Sequence, residues 1–393
     1  MNLLSCCYTE SIVLLQRKLN LIKKWRQDKM NIIYKQKNEF TLFYQRLKGK
    51  MVSIIYDINT KPYAEIIKNE LLNYVKDIIC LEFPDRELVP SEDKCEQAYN
   101  TAKGTDYLLA VGSGTLNDMA KSVSTRLEIP CGVLATAASM DGYCSKGAAL
   151  MRGGFKVTDE VHTPEDVLID LDIVCNAPRL MTAAGFGDII GKYTCLTDWQ
   201  LSNIINGEPI NQEAFSLMEK ALADVMDAFD GLTKYEEDAV TKLMNALIVA
   251  GTSMAICGNS RPASGSEHHQ SHFLEMDFVR RGEKIPMHGI KVAIGTLVSI
   301  TLYNYLKDNK IRFNDAEKVY ELVEKLPSVE SLETMLQKMG CPTRFSQIGV
   351  RKETMEEMIE RAYTVRDRYT ILTLIHDLGL TEEVKLIVME RFF

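Results

Sequence analysis

The chain has 393 residues, of which 46% are apolar and 25% charged, and a formal net charge of −8. That length suits roughly two or three domains. The composition supplies a sizeable core and excludes disorder as the main theme, while the acidic balance argues against a nucleic-acid binder that works through a basic surface.

The first 50 residues carry 11 Lys or Arg against three Asp or Glu, so this segment is +8 and the remainder −16. Residues 11–31 space their apolar side chains helically with basic residues between them. We read 1–50 as an atypical basic segment, with an amphipathic surface helix or a membrane-surface contact as the alternatives. The start lacks a basic stretch ahead of its apolar residues, so no secretory signal is expected and the protein is placed in the cytoplasm. No uninterrupted apolar run approaches the ~20 residues of a bilayer span, and the best candidate, 246–257, is broken by Thr252 and Ser253. Ten cysteines without a C-x-x-C pair give no support to a zinc cluster or a disulfide framework, and most of these thiols are read as small core hydrophobes.

From residue 52 short β-branched runs alternate with helical stretches. The strands are expected at 52–58, 77–83, 107–111 and 131–136, and the helices at 64–75, 94–102 and 116–127. A glycine-rich stretch, 142–154, precedes one more expected strand at 167–174. Beyond Pro178 nearly everything reads as helix, including 213–229, 236–256, 291–306 and 315–325. The expected architecture is an α/β domain (51–177) with a parallel, Rossmann-like sheet, followed by an all-helical domain (178–393), with a site in the cleft between them.

Three stretches carry chemistry. In Ala110-Val-Gly-Ser-Gly-Thr-Leu-Asn-Asp118 a strand runs through glycines into a helix, a place where backbone N–H groups and the helix dipole suit a pyrophosphate. It is neither the full G-x-G-x-x-G fingerprint nor a Walker loop, and taken alone it reads equally as a plain strand-to-helix turn. Asp57, at the end of the 52–58 strand, is suited to ribose hydroxyls or, equally, to capping the turn ahead of Pro62. Four of the six histidines, His268, His269, His272 and His288, fall within 21 residues. His268 and His272 share one helical face, and converging imidazoles with a carboxylate form an open divalent-metal site. Asp188, in Ala-Gly-Phe-Gly-Asp, is the best carboxylate because glycines flank Phe186 and permit close approach. His269, His162 and His376 are read as satisfied core residues. The third stretch, Ala135-Thr-Ala-Ala-Ser-Met-Asp-Gly-Tyr-Cys-Ser145, either faces a cofactor and orients a substrate hydroxyl through Asp141, or is a structural turn.

Taken together, the blocks Gly-Ser-Gly-Thr-Leu-Asn-Asp, Thr-Ala-Ala-Ser-Met-Asp-Gly-Tyr, Ala-Gly-Phe-Gly-Asp, Arg261-Pro-Ala-Ser-Gly-Ser-Glu-His-His-Gln-Ser-His272 and His288-Gly289 resemble the sn-glycerol-1-phosphate dehydrogenases, including their bacterial AraM-type members. That group belongs with glycerol dehydrogenase and 3-dehydroquinate synthase among the metal-dependent alcohol dehydrogenases. The resemblance spans about residues 52–310, and it implies a dehydroquinate synthase-like fold.

The resemblance implies metal ligands Asp188, His268 and His288, holding one divalent ion that zinc, nickel or iron would satisfy. Asp141 and His272 would contact the substrate, with Asp188 near both, and these three are the catalytic candidates. NAD(H) or NADP(H) would lie against Asp57, against Gly112, Ser113, Gly114, Thr115, Leu116, Asn117 and Asp118, and against Thr136, Ala137, Ala138, Ser139 and Ser145. The implied reaction is reduction of dihydroxyacetone phosphate to sn-glycerol 1-phosphate in a homodimer that serves phospholipid biosynthesis. For the substrate phosphate the available cations are Lys146, Lys156, Lys192 and Arg261, with Lys192 preferred. Alternatives are a dehydrogenase for an unphosphorylated polyol and a nucleotide- or metal-binding protein without turnover.

Overall fold

The computed structural model describes residues 30–393, apart from Asn38 and Gly154. The helix expected over 11–31 lies, up to residue 29, outside the described residues. Within them, six strands form one parallel sheet: β1 (Asn31–Tyr34), β2 (Met51–Asp57), β3 (Asp77–Phe83), β4 (Tyr107–Gly112), β5 (Cys131–Ala135) and β8 (Asp166–Ile169), in the order β1-β8-β5-β4-β2-β3. The central strands β4, β5 and β8 are buried along their whole length, as strands covered on both faces by helices must be.

Because the strands are parallel, their carboxyl ends share one edge. Tyr56 pairs with Val111, and Gly112 with Ala135, so Asp57, the glycine turn and the 136–139 segment leave the sheet side by side. Ligands in open parallel sheets sit at this edge.

Three sequence expectations are corrected. The sheet begins at Asn31, not after residue 51: Asn31 donates through Nδ2 to Asp166 Oδ1 at 2.9 Å, and the Glu39–Arg46 helix buries Phe40, Phe43 and Tyr44. A four-residue strand among lysines is masked by the charge of its surroundings. The strand expected at 167–174 stops at Ile169, and Leu171–Cys175 is a short helix whose cap is Asp170, accepting from the Asp172 N–H. The glycine-rich stretch is partly an antiparallel hairpin of β6 (Gly147–Arg152) and β7 (Phe155–Glu160).

After Pro178 the chain is helical. One hydrophobic cluster runs from the sheet, through Leu108, Ala110 and Val133, into the helices through Phe186, Leu243 and Leu297. The helices Glu237–Cys257 and His288–Asp308 are long and apolar enough to cross a bilayer, although polar residues interrupt both. The apolar window of the second is 89% buried inside the protein, as befits a core helix.

Candidate active site

Three helices meet at the carboxyl edge of the sheet, and glycines set how closely. Asp188 lies on Arg179–Ile190, His268 and His272 on Ser266–Arg281, and His288 opens His288–Asp308. A Cβ built on Gly187 would lie 2.4 Å from the Gly289 carbonyl oxygen, and one on Gly185 would lie 2.0 Å from that of Ala138. The first contact draws the His288 helix onto the Asp188 helix. The second presses the 136–141 segment onto the other side of the same turn. As a result the Asp141 N–H donates to Asp188 Oδ2 at 3.0 Å.

The expected metal ligands converge. One ligand atom each from Asp188, His268 and His288 falls within 4.8 Å of the others, with Asp188 and His268 buried and His288 partly exposed. Glu267 accepts from the Gly265 N–H at 2.7 Å and the Thr194 hydroxyl at 2.6 Å, so its carboxylate also accepts from His268 Nδ1, at 2.7 Å. That bond leaves the lone pair on His268 Nε2, 3.8 Å from Asp188 Oδ1. Burial, followed by the charge of Lys192, holds the His268 pKa well below the usual histidine range, so the ring is neutral. Burial also raises Glu267 to about 7. A carboxylate and neutral imidazoles with one open side fit a divalent ion.

Lys192 is the residue whose role the sequence misassigned. It is fully buried, and its ammonium donates to Asp141 Oδ2 at 2.7 Å, Asp188 Oδ1 at 3.0 Å and the Ala263 carbonyl at 3.0 Å. Burial works against its charge, but Asp141 and Asp188 outweigh burial and raise its pKa. With three acceptors its three N–H donors are committed, so it is a brace between carboxylates and not a seat for phosphate. Asp141 itself is raised, first by burial and then by the charge of Asp188.

His272 donates from Nδ1 to Glu275 Oε2 at 3.0 Å, and its Nε2 lies 2.9 Å from the Arg366 guanidinium. Its ring centroid is 5.8 Å from that of His288. Burial lowers it to about 4, which makes it a neutral hydrogen-bonding group at ordinary pH. Glu275 also lies 3.4 Å from His288 Nδ1 and pairs with Lys156 at 2.7 Å and Lys291 at 3.2 Å. Burial opposes the Glu275 charge, yet Lys156 and Lys291 bring its pKa well below the usual value.

The other histidines depart from expectation. His269 is fully buried, but neither ring nitrogen has a partner among the described residues. His162 and His376 are exposed, the latter stacked on Tyr363 with centroids 4.1 Å apart. Of the remaining phosphate candidates, Lys146 is exposed beside β6, Lys156 is tied to Glu275, and Arg261 is buried against Glu208 and the Tyr369 carbonyl.

Across the cleft the glycine turn opens the Gly114–Leu127 helix, with Ser113, Gly114 and Thr115 partly exposed at its first turn. The neighbouring side chains have structural partners. Leu116 is buried, Asn117 Nδ2 donates to the Gly142 and Tyr143 carbonyls, and Asp118 accepts from the Ala149 N–H and pairs with Lys121. Thr136 donates its N–H to the Gly112 carbonyl, Ala137 accepts from the Tyr143 hydroxyl, Ala138 backs Gly185, and Ser139 is buried. Ser145 Oγ accepts from Lys121. Asp57 Oδ1 caps its own turn, accepting from the Asn59 and Thr60 N–H groups.

The motifs legible in the sequence end near residue 310, and Arg366 and Arg368 lie beyond them, on the segment that leads from the Lys352–Arg361 helix back to the histidine helix. Their Arg-Asp-Arg spacing offers no motif of its own.

A family model described as iron-containing alcohol dehydrogenase matches residues 35–178. The chain is 33% identical over 353 residues to a glycerol-1-phosphate dehydrogenase (NAD(P)+) of Halalkalibacterium halodurans, covering 85% of this chain and 88% of that one. It is 37% identical to a protein of the same name from Bacillus licheniformis, covering 87% and 86%. Among solved structures it resembles a probable glycerol dehydrogenase from Sinorhizobium meliloti, with a TM-score of 0.67, 19% identity and coverage of 93% and 98%.

Proposed function

The chain belongs to the glycerol-1-phosphate dehydrogenases, NAD(P)-dependent oxidoreductases within the iron-containing alcohol dehydrogenase family, and we propose how its site carries out their reaction. Dihydroxyacetone phosphate, NAD(P)H and one proton become sn-glycerol 1-phosphate and NAD(P)+. The observation that carries the reading is the convergence of Asp188, His268 and His288 beside the Asp141–Lys192 pair, at the same edge as the glycine turn.

Asp188, His268 and His288 would hold the divalent ion, and when bound it supplies Lewis-acid stabilisation of developing negative charge on the substrate's C2 oxygen. The chain's own residues do the rest. Asp141, braced by Lys192, orients a substrate hydroxyl. His272, neutral and fixed between Glu275 and Arg366, hydrogen-bonds the substrate. The first turn of the Gly114–Leu127 helix would hold the dinucleotide's pyrophosphate, and Thr136 to Ser139 and Ser145 would contact the rest of the cofactor. Asp57 keeps one oxygen for the ribose while the other caps the turn, which favours NADH over NADPH. Zinc, nickel and iron all suit the donor set. We assign the protein to the cytoplasm, as a homodimer that feeds membrane-lipid synthesis.

Following NADH oxidation with dihydroxyacetone phosphate and with dihydroxyacetone tests the reading. Strong preference for the phosphorylated substrate is expected. Equal turnover of the two would make this a general polyol dehydrogenase.

A further inference from the structure

A seat for the substrate's phosphate presupposes the reaction proposed above, in which that dianion is the one substrate group still without a partner, a few bonds from the carbonyl carbon. Its cation must stand near the metal ligands yet outside their contacts. Lys192 is saturated. Lys121 is fully buried and spends its ammonium on Asp118, the Gly142 and Gly147 carbonyls and Ser145. Lys156 and Lys291 both pair with the one carboxylate of Glu275.

Arg366 differs from all of these. Its Nη2 touches His272 Nε2 at 2.9 Å, and its Nη1 reaches Ser260 Oγ at 3.0 Å. Arg368 Nη2 donates to the same Ser260 oxygen at 2.7 Å, and its Nη1 to the Ser264 carbonyl at 3.1 Å. The two guanidiniums thus share one hydroxyl, and among the described residues neither forms an ion pair with a carboxylate. Arg261 lies close by, pairing with Glu208, and its Nε and Nη1 are buried without a hydrogen-bond partner.

Arg366 and Arg368 themselves border a cavity of about 650 Å³, lined also by Glu208, Asp367, Tyr363 and Tyr369. Burial, and then the charges of Arg366 and Arg261, pull the Arg368 guanidinium down to about 10. Clustered, partly buried positive charge lacking enough anions is costly, and a doubly charged oxyanion relieves it. An arginine that commits three N–H groups to neutral partners still has donors left for bidentate phosphate contact.

We propose that Arg366, supported by Arg368, binds the phosphate of the substrate and is the residue that selects a phosphorylated triose over an unphosphorylated polyol. Ser260 and Ser264, just ahead of the histidine helix, hold the pair in place, and the contact with His272 couples phosphate binding to the catalytic centre. The substrate then lies with its carbonyl toward Asp188, His268 and His288 and its phosphate toward the segment 362–370.

The test compares wild-type enzyme with Arg366→Ala, Arg366→Lys and Arg368→Gln. Steady-state kinetics use dihydroxyacetone phosphate and dihydroxyacetone, and a separate arm measures thermal protection by inorganic phosphate. For Arg366→Ala we expect the ratio of kcat/KM between the two substrates to fall on the order of 100-fold, mainly through KM, with loss of phosphate protection. Arg366→Lys, which keeps the charge without the fork, should fall between, and it serves if the alanine variant does not fold. An unchanged KM for dihydroxyacetone phosphate in both Arg366 variants overturns the proposal while leaving the reaction intact. If wild type fails to reduce dihydroxyacetone phosphate, the functional reading falls instead. Phosphate protection that is lost in Arg366→Ala, or weakened in Arg366→Lys, then sustains the anion site, and protection that is absent from wild type removes it.

Discussion

Gly187 faces Gly289 across a helix crossing so close that a Cβ on the first would lie 2.4 Å from the carbonyl oxygen of the second. Asp188 and His288 are the adjacent residues in each helix, so this contact fixes the separation of two of the proposed metal ligands. Replacing Gly187 by alanine gains helix propensity, ~1 kcal/mol, but the new methyl meets backbone that has nowhere to go. The clash dominates. Gly187→Ala should lose about 1–3 kcal/mol net and bind metal weakly. Denaturant unfolding together with elemental analysis checks this, and a variant of wild-type stability with full metal content would contradict it.

Lys192→Met should be among the more damaging single changes. It leaves Asp141 and Asp188, both buried, facing each other without the ammonium between them. Removing one partner of a buried ionic group costs about 3–5 kcal/mol. Urea titration of the metal-free protein measures the loss, and added divalent ion should restore part of it by binding the folded state. Unchanged stability in the variant would mean that Lys192 does not brace the carboxylates.

How much of the site is legible in the sequence depends on what signal each residue leaves there. Asp188, His268 and His288 are legible because histidine is scarce in the chain and clusters in it, and because glycines flank Phe186. The sheet core is legible because central parallel strands are continuous apolar runs. The helix Leu171–Cys175 reads as strand since a short apolar run fits either element, although Asp170 ahead of it is an available cap signal. Lys192 looks like any surface lysine in sequence, and only the fold shows that it is fully buried. Arg366 and Arg368 lie almost a hundred residues beyond His272, and no local pattern links the two.

A further prediction concerns acid. Asp277 pairs with Arg280 at 2.6 Å, Arg281 at 2.8 Å and Arg351 at 3.2 Å, and accepts from Thr354 at 3.0 Å, joining the histidine helix to Lys352–Arg361. Burial pushes its carboxyl up, but the hydrogen bonds from Arg280 and Thr354 and the charges of Arg281 and Arg351 prevail, and its pKa is lowered. The stabilisation is therefore full above about pH 4, where the unfolded chain is ionised, and is lost as pH falls through the depressed folded value. Asp277→Asn should destabilise the protein by about 1–3 kcal/mol at pH 7, with the gap to wild type closing toward pH 2–3. Parallel unfolding curves at the two pH values decide it, and a gap that does not change with pH would contradict the assignment.

Asp188 is the proposed ligand on which the chemistry most directly depends. Elemental analysis of purified wild type and Asp188→Asn, paired with NADH oxidation on dihydroxyacetone phosphate, tests its role in one experiment. We predict close to one divalent ion per wild-type chain, and a variant that loses both the ion and turnover. Full metal content in Asp188→Asn, or turnover that survives without metal, would contradict it.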